Sequence, residues 1–244
     1  MESESASARK ARIGGMTFDP HAAGFAPRMR FKNGARGSIA LLKTMIPYIV
    51  QCWIGVLGFG SLTKAQCELL SKGVDLPGAP RPEAAAAARM IQSGIRACQL
   101  VEDGAFGFDA RSFDAIYRAQ NGQEAPSCEK IGREFEELSS LVQDDYARAL
   151  YAFLFSLKEH PGEAGWNLPA AVFMEAALAS SGYAPLLIPA RDCDLFRTRL
   201  KAFGRDGDSG QMLQLARAVV GRGEAVRRRG RGTPPESFFP YFPD

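Results

Sequence analysis

The stretch "DDYARALYAFLFSLKEHPGEAGWNLPAAVF", residues 144–173, decides how this chain folds. Tyr146, Leu150, Phe153, Leu154 and Leu157 recur at helical spacing, and apolar residues cover most sides of the segment. It therefore reads as a central buried helix, with Asp144 or Asp145 as its cap. His160 ends that helix, and Pro161, Gly162 and Gly165 turn the chain. Asn167 is then expected to cap a second helix, "LPAAVFMEAALAS", with Pro169 in its first turn and Gly182 just past its end.

The same rules extend outward from this pair. A helix is expected from Ser38 to about Leu57, bent at Pro47, and Thr63 caps a short one through Leu70. The breaker-rich "GVDLPGAPRP" (73–82) is a loop, after which Pro82 opens a helix carrying Ile91, Ile95, Cys98 and Val101. Asp109 caps a helix with Phe113, Ile116 and Tyr117 on one face, ended by Asn121-Gly122. Ile131, Phe135, Leu138 and Val142 mark a further amphipathic stripe. After a short extended "PLLIP", Asp192 caps a helix bearing Leu195, Phe196, Leu200 and Phe203, and Asp208 or Ser209 starts another through Val220. Strand signals are few and repeats absent, so the expected architecture is all-α, a bundle over 38–221. Residues 1–37 are expected to form a disordered basic tail, and 222–244 an arginine-rich and then aromatic, proline-broken one.

With 244 residues, 46% hydrophobic and 23% charged, the chain has globular composition and can bury a core without staples. Cys52, Cys67, Cys98, Cys128 and Cys193 are scattered without a CxxC pair, which argues against a disulfide framework or a zinc site. The net charge of +3 is concentrated at the ends. Arg9, Lys10, Arg12, Arg28, Arg30, Lys32 and Arg36 lie in one tail, and "GRGEAVRRRGRG" (221–232) in the other. The core is therefore not expected to bind nucleic acid. The apolar segment 39–60 is interrupted by Lys43, Pro47 and Gln51, and is expected to be core rather than a membrane span. No secretory leader is visible, so a cytoplasmic protein is expected; the Ser/Arg-rich start would equally suit a secreted effector.

The corner at His160 is where the sequence offers chemistry. A helix start presents unpaired N–H groups and a positive dipole end, and Gly162 and Gly165 let the preceding backbone curl toward an anion. His160 stands ready to take a proton from a hydroxyl at that anion. Base plus anion cradle serves phosphoryl or nucleotidyl transfer. The same residues also describe a plain corner between helices. Trp166 either stacks on a base or sugar or packs to close the corner. Arg191, Arg197 and Arg199 either add charge to the site or are solvated, and His21 reads as a solvated tail residue.

The stretch from about Ser61 to Val220 resembles a Fic/Doc (Fido) domain, whose signature runs His-Pro-Phe-x-Asp/Glu-Gly-Asn-Gly-Arg-x-x-Arg between two helices. Here His160, Pro161 and Gly165 match, while Gly162, Ala164, Trp166, Asn167, Leu168 and Ala171 depart. The flanks resemble the family more fully: "GSLTKAQCELLSKG" before an alanine-rich helix, and "LASSGYAPLLIPARDCDLFRTRL" after the corner, where Phe196 and Leu200 fit. The resemblance implies His160 as catalytic base, with a phosphate-containing donor held by Gly162, Glu163, Gly165, Trp166, Asn167 and Phe196. Ala164 cannot hold the family's Mg²⁺, and Leu168 and Ala171 cannot clamp phosphate as its arginines do. Ordinary Mg-ATP-dependent AMP transfer is therefore not expected, and no metal ligand is assigned. Three readings stay open: transfer of a group from a nucleotide or nucleotide sugar to a hydroxyl of a protein or small-molecule acceptor; an inactive Fic-fold protein-binding module; or non-phosphoryl chemistry on a small metabolite in the same pocket.

Overall fold

The computed structural model describes residues 10–21, 30–31, 33–76, 78, 81–188 and 190–229; of residues 81, 190, 191 and 220–229 only the backbone is described. Within them the chain forms a hairpin, β1 (Ala11–Ile13) and β2 (Met16–Phe18), and then α1 (Gly34–Leu57), α2 (Lys64–Ser71), α3 (Arg81–Glu102), α4 (Ala110–Asn121), α5 (Cys128–Leu141), α6 (Asp145–Glu159), α7 (Ala164–Ser180), α8 (Ala190–Asp206) and α9 (Gly210–Arg229). The protein is mostly helical, as its periodicity implied.

Local chemistry sets several helix starts. Thr63 forms a capping box with Gln66, Asp109 accepts from the Ser112 N–H at 2.9 Å, and Asp144 accepts from the Ala147 N–H at 2.8 Å. Asp192 differs from expectation: it lies inside the first turn of α8, not at its cap. The helices gather around α7 rather than around α6 alone. Every residue of α7 from Trp166 to Ala179 is buried, and α1, α3, α4 and α6 all pack on it. Ala170, Ala171, Ala176, Ala177 and Ala179 keep this helix thin, so neighbours approach from all sides.

One polar group interrupts that core. Glu175, 1% exposed, accepts from the Trp53 indole N–H and from the Leu186 backbone N–H, both at 2.9 Å. It joins α7 to α1 and to the 184–188 segment, where Leu186, Leu187 and Ile188 are buried. Burial pushes its carboxyl up to about 8, and the two donated hydrogen bonds hold it from going further.

α1 is long and apolar enough to cross a membrane by length and composition, with mean hydropathy 1.5, yet 61% of that window is buried within the fold. Pro47 sits inside it.

Over residues 10–21, 30–31 and 33–37 the structure departs from the loose tail expected for 1–37; residues 1–9, 22–29 and 32 of that expected tail lie outside the described residues. β1 and β2 pair antiparallel around Gly14-Gly15, and Ile13, Met16 and Phe18 are buried. The Thr17 N–H donates to the Gly207 carbonyl at 2.8 Å, and the Ser209 N–H donates back to the Thr17 carbonyl at 3.0 Å. Lys10 pairs with Asp208 at 2.6 Å, and the Phe18 ring lies 5.1 Å from Tyr151. Two three-residue strands cannot stand alone; the surface of α6 and the α8–α9 connection stabilises them. At the other end, α9 continues through the arginine run to Arg229, past the boundary expected near Val220. The expected aromatic tail, from 230 onward, lies outside the described residues.

Candidate functional site

The His160 corner is tighter than its sequence suggested. His160 is the C-cap of α6, its N–H donating to the Ser156 carbonyl at 3.0 Å. Gly162, at φ 78°, reverses the chain at a backbone conformation that disfavours side chains, although a Cβ would find open space there. α7 then starts at once. Its N-cap is Glu163, whose carbonyl accepts from the N–H groups of Trp166 and Asn167 at 3.0 and 2.8 Å. Asn167 is therefore not the cap. It lies in the first turn, 2% exposed, and its Oδ1 has no partner among the described residues. Because the turn closes in four residues, Gly165 and Trp166 also belong to the helix and not to an anion-cradling loop.

Each expected donor-binding residue now has a position. The Gly165 carbonyl accepts from Asn121 Nδ2 at 2.8 Å, and an added Cβ would lie 3.4 Å from Asn121 Oδ1, so this glycine admits the end of α4. Trp166, 7% exposed, stacks on the His160 ring at 3.9 Å and 2°, and on Phe113 at 5.7 Å and 23°. Both partners are stacked rings of the protein itself, so the indole closes the corner and does not wait for a base. Exposed Glu163 brings Oε2 to 3.6 Å from His160 Nδ1. Phe196 stands apart, fully buried with its ring edge-on to Trp53 at 6.1 Å. Arg197 is engaged with the Gly55 carbonyl and Asp194, each at 2.9 Å, and Arg199 with Gln211. The side chain of Arg191 lies outside the described residues. His21, exposed, donates its backbone N–H to Asp19 at 2.9 Å.

The structure adds a cavity of about 100 Å³ between α5, α6 and the start of α7. Phe113, Phe135, Phe155 and Trp166 give it aromatic walls. Its polar lining is Ser127, Lys130, Glu134, Ser156, Glu159 and His160. Two of these groups are unsatisfied: Ser156 Oγ, on a residue 8% exposed, and Glu134 Oε2 have no hydrogen-bond partner among the described residues. Lys130 is paired with Glu159. Burial raises the Glu134 carboxyl to about 6; Lys130 works against that rise and Glu159 with it. Ser127, at the mouth, has φ 60° and is the only non-glycine among the described residues with positive φ. Such strain gathers at functional sites.

Sequence reasoning found His160 and missed Ser127, Lys130, Glu134, Ser156 and Glu159. A signal was present: Ser156, Glu159 and His160 stand at i, i+3 and i+4, so they share one face where an otherwise apolar helix ends. Lys130 and Glu134 flank the apolar Ile131 and Phe135 with the same spacing on α5.

The fold and site together define a mostly helical domain with a small, aromatic-walled, acid-bearing cavity beside a half-buried histidine. No known family model, curated protein or solved structure matches the chain. Among the described residues no group of three or more His, Cys, Asp or Glu stands together to hold a metal ion.

Proposed function

We propose that the α6–α7 corner is an acid–base site acting on a compact polar molecule, within a divergent Fic-like helical framework. The observation that carries this is the company His160 keeps in the cavity: a carboxyl drawn to about 6 and an unpartnered hydroxyl. A histidine and a carboxyl that burial raises to about 6 provide one group to accept a proton and another to donate it. The Fic-like assignment rests on His160 and Pro161 at a turn between two packed helices, on Gly165 in the first turn of the second of them, and on the resembling flanks.

A phosphate-bearing donor has less in its favour. The cavity lining carries Glu134 and Glu159 against one lysine and includes no arginine. Its volume is well below the roughly 300 Å³ at which drug-sized ligands begin to fit. The protein-binding alternative leaves the unsatisfied Glu134 and Ser156 without a role.

The test is a thermal-shift screen of compact alcohols, amines and hydroxy acids against nucleotides and nucleotide sugars, the latter with and without Mg²⁺. Hits are then assayed for proton transfer with wild type and His160→Gln. Shifts are expected with compact polar molecules, and proton transfer should fall at least about a hundredfold in the variant. A shift confined to nucleotides and lost in His160→Gln would return the phosphate-transfer reading.

A further inference from the structure

We infer that the cavity beside His160 binds a compact organic cation, a primary or methylated ammonium group. This rests on the acid–base reading of the same site and names its ligand class. Three independent features converge. The charged lining is Glu134 and Glu159 on the acidic side, with Lys130 alone on the basic side and the half-buried His160 beside them. Lys130 is committed to Glu159, so Glu134 Oε2 is the carboxylate oxygen left without a partner. An ammonium group would supply that partner, and a bound N–H would also reach an acceptor in Ser156 Oγ, the second unsatisfied atom of the cavity.

The walls suit the same ligand. Aromatic rings attract cations through their quadrupole, and the attraction grows where water is excluded. The rings of Phe113, Phe135 and Phe155 give a small cation an apolar surround that a carboxylate or phosphate would find unfavourable. The volume of about 100 Å³ limits the ligand to a few heavy atoms at the recognised end. A deprotonated Glu134 is required, so binding should weaken as pH falls through about 6. Lys130 stays charged and Glu159 remains paired with it, while exposed Glu163 beside His160 adds only a screened attraction.

Calorimetric titration with methylammonium and tetramethylammonium tests this, with tert-butanol as neutral isostere and acetate as anion. At pH 7.5 one of the cations should bind at least about tenfold more tightly than tert-butanol, and acetate should not bind. Glu134→Gln should abolish the preference while its circular dichroism and melting temperature stay close to wild type, because the side chain is only half-buried. Ser156→Ala should weaken a primary ammonium but not tetramethylammonium, which has no N–H to donate. Equal binding of tert-butanol, a preference surviving in Glu134→Gln, or no binding by either cation would overturn the inference. Cation binding without proton transfer would leave it standing and refute the acid–base reading. Proton transfer on neutral alcohols without a cation preference would do the reverse.

Discussion

Replacing Glu175 by glutamine should make stability cross over with pH. In the unfolded chain a glutamate ionises near 4.5; buried in α7 the same carboxyl is held to about 8. Below pH 4.5 both states carry the proton and the group adds no pH dependence. Between 4.5 and 8 the unfolded state binds fewer protons than the folded one, so stability falls as pH rises, and it levels off above 8. The interval of about 3.5 pH units amounts to about 5 kcal/mol, of which about 4 kcal/mol falls between pH 5 and 8. Glutamine cannot ionise, so this slope disappears. It has only one acceptor oxygen, whereas Trp53 and Leu186 each donate to a different oxygen of Glu175. One buried N–H therefore faces an amide nitrogen, at a constant cost of about 1–3 kcal/mol. The wild type should be the more stable protein at pH 5, and Glu175→Gln the more stable at pH 8. Urea denaturation of both proteins at the two pH values, followed by tryptophan fluorescence, measures the difference directly. Contributions from other titrating groups cancel in the comparison. Parallel stability profiles would refute the reasoning: they would mean that two N–H donors suffice to keep the carboxylate charged in the core.

Two further substitutions probe the framework. Gly207 has φ 74°, and an added Cβ would lie 2.3 Å from the Gly15 carbonyl oxygen. Gly207→Ala should thus cost more than about 2 kcal/mol and free the hairpin, seen as new proteolytic cleavage near residues 10–21. Asp144→Ala removes the side-chain cap of α6 and should cost about 1 kcal/mol in denaturant unfolding, while cation binding at the far end of that helix stays unchanged.

Where structure was legible in the sequence, the deciding interactions were local. Thr63, Asp109 and Asp144 cap helices through bonds to residues three positions on, and such contacts can be read from spacing alone. The reading of Asn167 failed because two helix starts compete within four residues. The reversal at Gly162 let the helix begin at Ala164, leaving the stronger capping residue inside it. The hairpin was missed because Ile13, Met16 and Phe18 are too few to signal a strand. Their burial depends on α6 and on residues near 207, far away in sequence. The site divided in the same way. His160 stood out as a lone histidine beside Pro161, whereas Glu134 resembled any solvated helix glutamate until α5 packed against α6 and closed over it.

The pairing of Thr17 with Gly207 and Ser209 also bears on the order of assembly. The Ser209 hydroxyl and the Thr17 carbonyl are 192 positions apart. During synthesis the hairpin must therefore wait, with its apolar side chains uncovered, until nearly the whole helical domain has left the ribosome. Closing so long a loop is a late and entropically demanding event, and native contacts of that span form slowly. A hairpin that precedes every helix of the domain in the chain is thus among the last parts to find its place, and the seam it closes fastens it to the α8–α9 connection.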